Sequence, residues 1–226
     1  MGEADREPHD VMRVLATFVE SVRQLAGVPD AAVHYVPRSG GAVLTEGTSS
    51  AVRALTADAA AWNEGPGPEA RVADRPLVDL DVTGAPARVR WPRWVPRARA
   101  LGVSRVTALP LSGAGAPVGA LILVSGQGRS LDERALTLVR SHTGMTADAL
   151  FLLREVEQGR ALAAQLQHAL TSRVVIEQAK GMLSVRFGVP LDEAFARLRS
   201  YARSHQRKIA EVASEITEGR AELTAL

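Results

Sequence analysis

Apolar residues recur at helical spacing along Val11, Val14, Leu15, Phe18, Val19, Val22 and Leu25. This predicts an amphipathic helix opened by Asp10 as N-cap and closed by Gly27 ahead of Pro29, with residues 1–9 as a polar tail. The period then changes to that of strands. Ala31–Val36 and Gly41–Thr45 read as a β-hairpin around the Pro-Arg-Ser-Gly-Gly turn. Ser49–Trp62 is an alanine-rich helix that cannot continue through Asn63-Glu64-Gly65-Pro66-Gly67-Pro68. Leu77–Leu80 is a short strand, and Trp91–Leu101 carries Trp94, Ala98 and Leu101 at helical spacing. Two apolar strands follow, Ser104–Leu111 and Val118–Ser125, and a helix begins at Asp132. Strands mixed with helices and joined by hairpins predict an α+β domain with an antiparallel sheet over residues 10–150.

From Leu136 to Leu170 only Gly144 and Gly159 weaken a helical pattern. Leu150, Leu153 and Val156, then Leu162, Leu166 and Leu170, form two stripes without a sustained heptad. A connecting helix over residues 151–170 fits either packing on the first domain's own sheet or a coiled coil. Residues 171–226 predict three amphipathic helices that must bundle, because none is long enough to stand alone. In the first, Val175, Ala179, Met182 and Leu183 share a face with Ile176 and Phe187 at its edge, and Arg173, Lys180 and Ser184 line up beside it. The second places Leu191, Ala194, Phe195, Leu198 and Ala202 together, and the third Ile209, Val212, Ala213 and Ile216. Gly181 lies mid-helix at a cost of roughly 1 kcal/mol relative to alanine, which predicts close approach by another helix or a ligand.

Composition narrows the chemistry. The 226 residues contain no cysteine, which excludes disulfides, thiolate metal sites, cysteine nucleophiles and thioether-linked chromophores. The polar N-terminus lacks an apolar signal core, and the longest apolar run, Val118–Val124, is too short to span a bilayer, so a soluble cytoplasmic protein without membrane contact is expected. Net charge is only +2, yet between Ser172 and Lys208 eight basic residues face three acidic ones. Both lysines of the chain, Lys180 and Lys208, lie there. Such a local excess suits phosphate contact.

Catalytic patterns are weak. The histidines at 9, 34, 142, 168 and 205 have no metal-ligand spacing, and His142 reads as a core or solvated residue ahead of a haem or metal ligand. Ser112-Gly113-Ala114-Gly115 lacks a following Lys-Ser/Thr and reads as a hairpin turn. Asp79 and Asp81 are the nearest approach to a carboxylate pair. No enzyme activity, cofactor or metal is expected.

Several strings in the first domain resemble a GAF domain, the small-molecule sensing fold, and its actinobacterial subtype in particular. They are Trp62 to Ala70, the Arg90-Trp91-Pro92 lead into a helix, Gly102-Val103 before a strand ending Leu109-Pro110-Leu111, and Val118-Gly119-Ala120-Leu121. That subtype often has a cysteine near Pro66, where this chain has Gly67. The C-terminal strings Arg173 to Leu183, Asp192 to Arg199 and Ile209 to Ala213 resemble an ANTAR domain, with Val189-Pro190 where a Ser or Thr helix cap is usual. The resemblance implies a dimeric, signal-responsive transcription antiterminator whose helical bundle holds stem-loops in an mRNA leader. It also implies an unidentified small-molecule ligand for the GAF-like domain.

The RNA-binding candidates are Arg173, Lys180, Gly181, Tyr201, Arg203, Arg207 and Lys208, with Lys180 on the motif itself and Tyr201 suited to base stacking. Arg197 and Arg199 read as ordinary surface. A DNA-binding regulator and a sensor enzyme with its site in the N-terminal domain are the alternatives.

Overall fold

A computed structural model describes residues 6–37, 42–113, 116–126 and 131–220, the side chains of residues 6–9 excepted. The chain divides into two compact units, Met1–Glu155 and Val156–Leu226.

The first unit is built on a five-stranded antiparallel sheet in the order β2-β1-β5-β4-β3, with β1 (Asp30–Tyr35), β2 (Leu44–Gly47), β3 (Leu77–Asp81), β4 (Arg105–Pro110) and β5 (Gly119–Ser125). Alternation sorts β1 between two cores. Ala31, Val33 and Tyr35 pack with α1 (Arg6–Ala26) and with Val139, Ala147 and Leu150 of α6 (Glu133–Phe187). Ala32 faces the opposite way, toward α2 (Ser50–Trp62), α3 (Pro66–Ala73), α4 (Ala85–Arg90) and α5 (Trp94–Ala100). Both faces of the sheet are therefore covered.

Several local expectations change. The first helix begins at Arg6, so Asp10 lies inside it and pairs with Arg13 at 3.2 Å instead of capping, and Leu25 is exposed. The second hairpin strand starts at Leu44, paired with Tyr35, and the expected turn at 38–41 lies outside the described residues. The Asn63–Pro68 segment does end α2, with Ser49 as its N-cap, but Pro66 then opens α3 at a position where proline's missing N–H is harmless. Trp91 closes the short α4, and α5 starts only at Trp94. Ser112–Gly115 is only partly described, with residues 114 and 115 outside the described set.

In the second unit the last part of α6, α7 (Leu191–Ser204) and α8 (Ile209–Thr217) enclose a core of Ala179, Leu183, Ala194, Leu198, Ala202, Val212, Ala213 and Ile216. No helix break precedes Ser172, because nothing between Leu170 and Val174 disrupts the pattern. Met182 and Leu191, expected in the packed faces, are exposed. An added Cβ on Gly181 would meet nothing within 4 Å. The expected close helix packing at that glycine is therefore absent, and its backbone stands open.

Candidate nucleic-acid interface

Two tight turns hold the bundle's helices together. After α6, Gly188 takes the left-handed conformation (φ 65°) that a helix-ending residue requires, and the Val189 N–H donates back to the Ser184 carbonyl at 3.2 Å. Ser184 Oγ also donates to the Val189 carbonyl at 2.6 Å. Pro190 caps α7 without a side-chain acceptor, and Asp192 and Glu193 supply the favourable charge in the first turn. After α7, Gln206 is left-handed (φ 53°) and the Arg207 N–H donates to the Ala202 carbonyl at 2.8 Å.

The candidate side chains fall into two classes. Lys180 and Arg207 are engaged within the bundle. Lys180 Nζ donates to both carboxylate oxygens of Glu177, at 3.0 and 2.9 Å, and lies 5.4 Å from the Phe195 ring centre. Arg207 grips Glu215 of α8 through two hydrogen bonds of 2.9 and 2.6 Å, which hold the Arg207 guanidinium above and the Glu215 carboxyl below their ordinary pKa values. Arg173, Arg203 and Lys208 are exposed and have no ion-pair partner among the described residues. Tyr201 stacks on His205 with ring centres 4.0 Å apart and planes 25° from parallel.

Tyr201, Arg203, Arg207 and Lys208 thus gather at the α7–α8 corner, whereas Arg173 and Lys180 sit seven residues apart along α6. Arg197, read from sequence as ordinary surface, bonds Glu193 at 2.7 Å and lies 5.3 Å from the Phe187 ring centre. With Lys180 on Phe195 it makes a reciprocal cation–aromatic link between α6 and α7.

The first unit hides its most unusual groups. His34, near the end of β1, is 1% exposed, and its Nδ1 has no hydrogen-bond partner among the described residues. Burial, helped by the nearby Arg71 charge, pushes its pKa down to about 4. Arg71 Nε is also buried without a partner among the described residues. The α3 backbone presses on the imidazole: a Cβ on Gly67 would sit 3.1 Å from His34 Nδ1 and 3.0 Å from Ile122 Cδ1. Glu64 and Glu69 fasten the helices around this point. One Glu64 oxygen accepts the backbone N–H groups of Arg93 and Trp94 at 2.6 and 2.9 Å, and Glu69 accepts from Arg90 Nε at 2.9 Å and Trp91 Nε1 at 3.1 Å.

This doubly covered antiparallel sheet has relatives. Residues 8–150 match the family model described as GAF domain. The chain belongs to the GAF domain family. Residues 164–216 match the model described as ANTAR domain, so one chain carries both modules. Among solved structures, the sheet unit is similar to a GAF domain region from Geobacter sulfurreducens PCA, at 18% identity and TM-score 0.50 over 67% of this chain and 99% of that one. It is also similar to GAF3 of Slr1393 from Synechocystis sp. PCC6803 in its photoproduct state, at 10% identity and TM-score 0.50 over 66% of this chain and 98% of that one. At these identities the likeness shows the fold alone. No curated protein matches the chain significantly.

GAF domains sense signals and ANTAR domains are RNA-binding antitermination modules, so the domain content is that of a sensor-regulator. No helix among the described residues is long and apolar enough to cross a membrane. Among the described residues no three His, Cys, Asp or Glu side chains cluster as metal ligands. In the GAF domain His142 packs against Phe18 with ring centres 5.7 Å apart. Asp79 and Asp81 are taken by separate partners: Asp79 bonds Arg105 at 2.5 and 2.6 Å, and Asp81 accepts from Thr83.

Sequence reasoning did not single out His34 or Arg71, because a lone histidine in an apolar strand carries no motif. The departure at Gly67 was the available signal, since a residue without a side chain beside Pro66 marks a close backbone approach.

Proposed function

We propose that this chain is a signal-responsive transcription antiterminator that binds RNA, holding stem-loops of a nascent mRNA leader through its ANTAR domain. Two copies act together in the cytoplasm, and a small-molecule ligand of the GAF domain supplies the signal. The observation that carries this reading is the set of exposed cations Arg173, Arg203 and Lys208 on the ANTAR domain, without an ion-pair partner among the described residues, with the Tyr201–His205 stack beside Arg203. Exposed guanidinium and ammonium groups displace counterions from phosphates, and a stacked aromatic pair offers a platform for a splayed loop base. Lys180 and Arg207 contribute charge from positions held by Glu177 and Glu215, and the open backbone at Gly181 admits close approach.

The test is binding of the full chain to paired RNA hairpins and to duplex DNA across a salt series. Tight, salt-dependent binding to the hairpins without matching affinity for the duplex is expected. Arg203→Ala and Lys208→Ala each weaken binding to all hairpins alike and reduce the salt slope by roughly one. Preference for duplex DNA overturns the reading in favour of a DNA-binding regulator.

A further inference from the structure

A cleft of about 280 Å³ opens beside α6 in the GAF domain. Three elements line it: the turn after α3 supplies Asp74 and Pro76, the end of β4 supplies Pro110 with Ser112 just beyond, and α6 supplies Arg140 and Gly144. That volume lies close to the lower end of the roughly 300–1,000 Å³ of small-molecule clefts. The opposite face of the sheet is tight at its centre, where a Cβ on Gly65 would sit 2.9 Å from Trp94 Cδ1 and one on Gly67 3.0 Å from Ile122 Cδ1.

The cleft holds one charge of each sign, and neither is used up. Asp74 ends α3 in the left-handed conformation (φ 45°), with its backbone N–H donating to the Ala70 and Arg71 carbonyls, so the backbone fixes where the carboxylate starts. Ser112 Oγ donates to Asp74 Oδ1 at 2.5 Å, and Oδ2 has no partner among the described residues. Arg140 is exposed and has no ion-pair partner among the described residues, Asp74 included. Gly144 follows Arg140 by four residues, which puts both on one face of the helix. Glycine is a poor helix former, yet an added Cβ at this position would meet nothing within 4 Å, so packing does not demand it. The missing side chain leaves room in the cleft instead.

A guanidinium takes a carboxylate through two parallel N–H donors, and a carboxylate takes an ammonium group. A ligand carrying only one of these charges is repelled by the cleft residue of its own sign, which disfavours a phosphate, a dicarboxylate or a plain amine. A molecule carrying both is attracted at each end, with Pro76 and Pro110 available to its aliphatic part. We infer that this cleft binds a small zwitterion, an amino acid whose carboxylate meets Arg140 and whose ammonium meets Asp74. The inference names the ligand class of the GAF domain and rests on the sensor reading of the proposed function.

Isothermal titration calorimetry on the full chain without RNA tests the site, with glycine, L-leucine, β-alanine and 4-aminobutyrate as zwitterions and acetate and n-butylamine as single charges. At least one zwitterion should bind with a Kd of about 1 mM or tighter, and at least about tenfold tighter than either single-charge probe. Arg140→Gln and Asp74→Asn should each weaken that binding about tenfold or more. Asparagine tolerates the left-handed backbone and keeps an acceptor for Ser112, so the second variant reads the charge alone. Gly144→Leu should abolish binding without lowering the melting temperature, because leucine fills the cleft and favours the helix over glycine. Absence of binding by all four zwitterions, equal binding of acetate or n-butylamine, or unaltered affinity in any of the three variants overturns the inference. Hairpin binding without added ligand should be the same in all three variants, and its absence in the wild type counts against the RNA reading alone. Zwitterion binding that leaves hairpin affinity unaltered supports the site and removes the zwitterion as the signal for RNA binding.

Discussion

The GAF and ANTAR domains of this chain solve the problem of making a core in opposite ways. In the GAF domain a sheet is covered on both faces, and Trp94, Leu15, Leu111, Leu121, Leu123 and Leu150 are among its fully buried side chains. In the ANTAR domain the buried set is eight residues, of which Ala179, Ala194, Ala202 and Ala213 are alanines. Alanines let helices approach but bury little apolar area each. The bundle therefore depends on Leu183, Leu198, Val212 and Ile216, supported by polar links such as Arg207–Glu215 and the pair of cation–aromatic contacts. The GAF domain has enough apolar burial to keep His34 out of solvent with its Nδ1 unpartnered among the described residues. A thick core tolerates a costly polar group; a thin one keeps its cations at the surface.

Removing one large side chain from the thin core is the strongest test of that contrast. Leu198→Ala should cost about 2–5 kcal/mol, enough to melt the ANTAR helices while the GAF domain keeps its own transition. Tryptophan fluorescence follows the GAF domain alone, since Trp62, Trp91 and Trp94 all lie there, and circular dichroism follows both. A tryptophan transition that moves with the helical one would break the comparison.

A slightly smaller effect is expected from acid. The His34 pKa is depressed to about 4 from an ordinary 6.5, so the unfolded chain binds the extra proton. Its contribution is fully present above pH 6.5, falls between pH 6.5 and 4, and is lost below, with a total on the order of 3 kcal/mol. His34→Leu should flatten this part of the pH–stability curve of the GAF domain and leave the ANTAR transition unchanged. An unaltered slope would show that His34 is not the group held neutral.

Smallest is the loss of a cap. Glu64→Ala removes the acceptor for the Arg93 and Trp94 N–H groups at the start of α5 and should cost about 1 kcal/mol. Thermal melting would detect it in the GAF transition only.

Much of this architecture was legible in the residue order. The strands at Leu77, Ser104 and Val118 and the turn at Gly188 follow from apolar runs bounded by glycine and proline, which act locally. The α7–α8 corner was less legible, because Gln206 takes a left-handed conformation usually given to glycine and is held there by the Arg207–Ala202 bond. Helix α3 was missed for a related reason: Pro66 and Pro68 read as breakers until a first-turn position makes the missing N–H groups harmless. Of the candidate cations, sequence placed all on or beside helices, but it did not separate Arg173, Arg203 and Lys208, which have no ion-pair partner among the described residues, from Lys180 and Arg207, which are paired.

By itself the sequence determined two modules, the period of their elements and a basic excess confined to the second, because periodicity, breakers and charge are properties of neighbouring residues. Tertiary structure decided which side chains those elements consume. Glu177, Glu215 and Phe195 claim two of the predicted cations, the sheet claims Leu150 but leaves Leu152 bare, and the α3 backbone seals His34 from water. Apart from the local Lys180–Glu177 pair, each of these outcomes depends on a partner distant in sequence or on the face that packing leaves open, and a one-dimensional pattern holds neither.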